Sequence, residues 1–113
     1  MLLKGVPTVV AAASGMVHVV AEGTPVLATG GAGDVLGGMA ATLLAHTNGD
    51  AALAGALAAF AHGRAAAAVS ARQVRGYTLD DVLTSLPAVW SLQSDAARPP
   101  ILAELPSVGE ERP

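Results

Sequence analysis

Leu27–Gly38 reads LATGGAGDVLGG: five glycines and one carboxylate, Asp34, within twelve residues. From Val35 onward the apolar residues fall at helical spacing, Leu36, Met39, Leu43 and Leu44, until Asn48-Gly49 supplies a stop. Upstream, Thr8–Ala13 (TVVAAA) and Val17–Ala21 (VHVVA) are β-branched-rich runs separated by Ser14-Gly15-Met16, which predicts a hairpin or neighbouring strands. Met1–Lys4 reads as the end of a further strand. The stretch is therefore a strand-to-glycine-loop-to-helix transition, and the fold class it predicts is α/β.

Such a loop lets several backbone N–H groups converge with no side chains in the way, and the helix dipole adds partial positive charge. The product is an anion hole. A carboxylate beside it can take the proton of a hydroxyl as that hydroxyl attacks a phosphorus atom held by the amides. The alternative is that Asp34 merely caps the helix by accepting backbone N–H groups. Neither a Walker A loop nor a dinucleotide fingerprint explains the stretch, because no Gly-Lys-Ser/Thr follows it and it does not open a first βαβ unit.

Outward from the loop, a second helix is predicted from an Asp50 N-cap to Arg72, carrying Leu53, Leu57, Phe60 and Arg64 along one side. A third begins at Thr78-Leu79-Asp80-Asp81, a capping box with Asp in place of Glu, and runs through Val82, Leu83 and Leu86 to Pro87. Asp80 and Asp81 are accounted for by the helix dipole, and Trp90 is expected to cover the core. Residues 1–92 then make one domain, and 93–113, holding four of the seven prolines, is expected to be an extended or disordered tail. At 113 residues, 52% hydrophobic and 13% charged, the chain has ample core material, much of it alanine.

A net charge of −3 argues against a nucleic-acid or anionic-membrane surface. The absence of cysteine excludes disulfides and thiolate metal sites and fits a cytoplasmic setting. The N-terminal run MLLKGVPTVVAAASG reads as strands interrupted by Pro7 more than as a signal peptide. The longest candidate span in the chain, Ala51–Gly63, is short for a membrane crossing. His18 and His46 have no partners at metal-ligand spacing, and His62, inside the second helix, reads as a packed or capping histidine.

Four blocks in order, Lys4-Gly5-Val6-Pro7-Thr8, then Thr24–Gly38 (TPVLATGGAGDVLGG), then Phe60–Ala66 (FAHGRAA), then Thr78–Pro87 (TLDDVLTSLP), resemble the C-terminal part of the ADP/ATP-dependent NAD(P)H-hydrate dehydratases of the ribokinase-like superfamily. The resemblance implies the C-terminal part of a ribokinase-like fold, with short strands followed by three helices. It also implies a chain lacking the N-terminal part of a larger, mainly parallel domain. Glu22-Gly23-Thr24-Pro25 departs from the Gly-Asn-Pro-Gly type of sequence common in the family at the approach to the loop.

The family's reaction, and so the expected one, is dehydration of the S hydrate of NADH or NADPH at the expense of ADP or ATP, the hydroxyl being phosphorylated and the phosphate then leaving. By matching positions, Asp34 is the expected base and substrate contact. Lys4, Gly5, Val6, Pro7, Thr8 and Gly33 are expected to bind nucleotide, and the amides of Gly31, Ala32, Gly33 and Asp34 to form the anion hole. Magnesium is expected only with the nucleotide phosphates. An incomplete sheet predicts association into a homo-oligomer. Two other readings share the loop: a small-molecule kinase of the same superfamily, and a non-catalytic nucleotide-binding remnant, which would have no need of Asp34.

Overall fold

In the computed structural model, which describes residues 1–91 and 102–105, the β-branched runs form three strands: β1 (Leu2–Leu3), β2 (Thr8–Ala11) and β3 (Val17–Val20). All described pairings are antiparallel, with Leu2 opposite Val10 and Val10 opposite His18. The two-residue period of a strand places Thr8, Val10, His18 and Val20 on one buried face. β2 and β3 are joined by the predicted hairpin, closed by the Ala12 N–H donating to the Met16 carbonyl at 2.8 Å.

A fourth strand, β4 (Leu102–Leu105), runs antiparallel along β3. The sequence reading places no element there, since the prolines nearby break any longer periodic pattern. Four residues nonetheless suffice to pair an otherwise open edge of β3. The rest of the expected tail, 93–101 and 106–113, lies outside the described residues.

The three predicted helices follow β3 as α1 (Ala32–His46), α2 (Ala51–Arg72) and α3 (Leu79–Trp90). α1 starts three residues before the predicted Val35, because Gly31 at φ 85° turns the chain and serves as N-cap. α2 has the predicted bounds, its Asp50 carboxylate accepting the Leu53 N–H at 2.9 Å. α3 has the predicted capping box between Thr78 and Asp81. It runs on past Pro87 to Trp90, which is 56% exposed and does not cover the core.

α2 is the axis of the molecule, but not through the face its large side chains suggest. Leu53, Leu57 and Phe60 are only half-buried, whereas Ala54, Ala56, Ala58, Ala59, Ala61, Ala65 and Ala66 are buried. Small residues let the sheet, α1 and α3 all approach the helix closely, and this packs more neighbours than a leucine stripe on one side can. The first half of α2 joins Val10, Val20 and Leu36 in one core, and the second half joins Val26 and Val82 in another. α2 also exceeds the 51–63 stretch and has the length and hydropathy of a membrane span, but 61% of its apolar window is buried against these partners.

Between the two cores the strand leaving β3 crosses α2 at Gly63. A β-carbon there would sit 2.6 Å from the Glu22 carbonyl oxygen and 2.7 Å from its carbon. This contact fixes where the chain after β3 lies, and hence the walls of the site.

Candidate functional site

The Lys4–Thr8 segment is a closed turn. Thr8 is buried, and its hydroxyl donates to the Gly5 carbonyl at 3.0 Å and accepts the Gly5 N–H at 3.4 Å. The hydroxyl so placed explains why threonine stands at the fifth position of KGVPT, and it leaves Lys4 exposed at the segment's other end. Lys4 Nζ donates to the Leu27 carbonyl at 3.0 Å, tying the turn to the chain that leads into the glycine loop. That chain is itself held by a 3-10 turn, Pro25–Leu27, whose Thr24 side chain accepts the Val26 N–H.

These two segments enclose a cleft of about 460 Å³ together with α2. Lys4, Gly5, Val6 and Thr8 line it from one side and Pro25, Leu27 and Ala28 from another, while Leu36, Ala59 and His62 lie on the helices. Of the residues expected to bind nucleotide, Pro7 and Gly33 stand outside the lining, and so does Asp34. The cleft and the glycine loop are therefore adjoining regions joined through Leu27 and Ala28. They are not one cavity.

In the loop, Gly31 is the N-cap and supplies no side chain, so the first turn of α1 has no side-chain cap. The Ala32 N–H donates to Thr29 O at 3.2 Å and the Asp34 N–H to Gly31 O at 3.0 Å, so two of the four expected anion-hole amides are already engaged. The amides of Gly31 and Gly33 donate to no backbone carbonyl among the described residues. Asp34 lies in the first turn and is exposed, and its carboxylate accepts no hydrogen bond among the described residues. It does not cap α1, which removes the structural explanation the sequence left open.

Gly33 shows most directly which part of the loop the fold does not need. A β-carbon added there meets nothing within 4 Å, and its backbone is not left-handed. Gly33→Ala is thus expected to hold or raise the melting temperature, since alanine favours a helix over glycine, while placing a methyl group in the mouth of the anion hole. Calorimetric titration with ADP or inorganic phosphate should show the loss of affinity.

His62 is packed, as the sequence reading expects, but in a place that reading did not find: the wall of the cleft. It is 1% exposed, lines the cleft, and keeps its Nε2 buried without a hydrogen-bond partner among the described residues. The signal was the adjacent Gly63, which marks a close crossing and so puts its neighbour beneath the crossing chain. Burial first, and the Lys4 charge second, lower the His62 pKa from 6.5. The unfolded chain then binds a proton more readily than the folded one, so this contribution to stability is intact above 6.5 and declines as pH falls below it. Melting curves from about pH 7.5 to about pH 5 should show an acid-side fall that is shallower in His62→Gln.

Among the described residues no group of three or more His, Cys, Asp or Glu could hold a metal ion.

Comparison with known proteins places this geometry in context. A family model described as NAD(P)H-hydrate dehydratase matches residues 1–88. The bifunctional NAD(P)H-hydrate repair enzyme Nnr of Gloeobacter violaceus (strain ATCC 29082 / PCC 7421) is 56% identical over 45 residues. That match covers 40% of this chain and 9% of the relative's length. No solved structure matches the chain significantly.

Proposed function

This chain belongs to the NAD(P)H-hydrate dehydratase family, and from that premise we propose that it contributes the phosphoryl-transfer site for ADP- or ATP-dependent dehydration of hydrated NADH or NADPH. The observation that carries the proposal is the Asp34 carboxylate, uncommitted among the described residues, beside the amides of Gly31 and Gly33, which have no partner among them either. Carboxylate and bound phosphate repel each other unless a group between them gives the acid a proton. A hydroxyl attacking phosphorus is such a group.

Asp34 takes the proton of the hydrate's hydroxyl as its oxygen bonds to the terminal phosphorus, and the bond from that phosphorus to the nucleotide breaks, releasing ADP from ATP or AMP from ADP. The phosphate then leaves the ring carbon, and loss of a proton from the neighbouring carbon restores the double bond. Gly31 and Gly33 hold the phosphoryl oxygens. Lys4 and the exposed backbone of Gly5–Pro7 bind the rest of the nucleotide, with Thr8 holding the turn in shape. Magnesium, carried by the phosphates, supplies charge neutralisation.

The test is recovery of NADH absorbance from its S hydrate with ADP or ATP and magnesium, run on this chain and on the longest in-frame product that contains it. Recovery supports the dehydratase. A folded product that binds nucleotide yet recovers no NADH rejects that assignment and favours a kinase of the same superfamily.

We further propose a cellular setting and an oligomeric state. The cysteine-free composition supports a reducing, cytoplasmic setting. The outer edge of β1 pairs with no described strand and carries Met1 and Leu3 at 90% and 66% exposure, which supports self-association. Sedimentation should show a dimer or larger species, and a monodisperse monomer would contradict it.

A further inference from the structure

We infer that His62 reads the base of the nucleotide, its buried Nε2 hydrogen-bonding the edge of a flat heteroaromatic ring seated in the cleft beside Lys4. The inference rests on the nucleotide reading of that cleft and names the residue that recognises its occupant.

A buried polar atom without a partner is destabilising and calls for an explanation. Among the described residues two side-chain atoms are in this position, His18 Nδ1 and His62 Nε2. His18 lies on β3 and takes no part in the cleft lining, whereas His62 is part of it. Only for His62, then, can a bound molecule satisfy the atom.

The surroundings of His62 decide between the two ends of a nucleotide. Val6, Pro25, Leu27, Leu36 and Ala59 give the cleft apolar walls, suited to the faces of a ring and not to a phosphate. The partnerless amides lie elsewhere, at Gly31 and Gly33, and the cation Lys4 is exposed on the cleft's side. Burial and the Lys4 charge favour the neutral imidazole, which offers one donor and one acceptor. The buried Nε2 pairs with a ring nitrogen or an amino group on the edge of a base whose faces lie against those apolar walls.

Calorimetry with adenosine, ADP and inorganic pyrophosphate on the wild-type chain, His62→Gln and His62→Leu tests the assignment. His62→Leu should weaken adenosine and ADP about tenfold, as loss of one buried hydrogen bond does, with pyrophosphate unchanged. His62→Gln, which keeps a donor and an acceptor, should recover part of the loss. In the wild type, the imidazole nitrogen resonances of His62, identified by their absence in His62→Gln, should move on addition of adenosine and stay in place with pyrophosphate. That measurement decides the matter even where His62→Leu does not fold.

Unmoved His62 resonances at saturating adenosine overturn the assignment, as does an equal loss of adenosine and pyrophosphate binding in a folded variant. Wild-type binding of pyrophosphate without adenosine overturns it too while leaving the anion seat standing. Binding of neither overturns both.

Discussion

Asp34→Asn is expected to lower nucleotide-dependent recovery of NADH from its hydrate by about 10²- to 10⁴-fold, the range for removal of a positioned general base. The fold should be only slightly destabilised. Asp34 is exposed, makes no described hydrogen bond and caps nothing. Asparagine keeps the size of the side chain and loses the capacity to take a proton, along with a favourable charge at the helix N-terminus of about 0.3–1 kcal/mol. Because asparagine also removes the repulsion between carboxylate and phosphate, nucleotide affinity should hold or rise while turnover collapses. A loss of binding equal to the loss of rate would mean that Asp34 positions the nucleotide and is not the base. Melting curves, titration with ADP and the absorbance assay together separate these outcomes.

The second large effect is on stability. Gly63→Ala adds a methyl group where the Glu22 carbonyl oxygen and carbon stand at 2.6 and 2.7 Å. The obstruction is backbone, which cannot rotate away as a side-chain tip can, so α2 or the strand leaving β3 must shift. Overpacking of this kind costs about 1–3 kcal/mol. That is a large share of the margin of a small domain. The shift also moves Glu22–Thr24, which line the cleft, so ligand binding should weaken with stability. Gly55→Ala is the control on the same helix. Its added β-carbon meets Leu2 and Val10 at 3.4 and 3.5 Å, close to ordinary contact, and alanine favours the helix by about 1 kcal/mol. Thermal melts should therefore separate the two glycines, and equal behaviour would remove the crossing at Gly63 as a determinant of the fold.

The elements legible in the sequence were those with a local chemical signature. Asp50 and Thr78 marked their helix starts because a side-chain oxygen placed to accept a backbone N–H is a property of a few adjacent residues. The strands β2 and β3 were legible from β-branched runs around Ser14-Gly15-Met16. Less legible were features set by neighbours distant in the chain. β4 pairs with β3 from more than 80 residues away, counting Val20 to Leu102. The burial of alanines in preference to Leu53, Leu57 and Phe60 depends on how many elements surround α2, which no helical period reports.

For the site, composition and spacing alone were enough to place three glycines before one acid and two after it, and to tie that pattern to anion binding at a helix start, since this chemistry resides in twelve consecutive residues. Tertiary structure decided the rest. It joined Lys4 to Leu27 across 23 positions and left Asp34 outside the cleft. It also put the unpartnered His62 nitrogen in a cavity wall through a helix crossing that only glycine permits. The physical reason is range: capping, turns and strand alternation are fixed within a few bonds, whereas burial and cavity walls exist only once separate segments have been brought into contact.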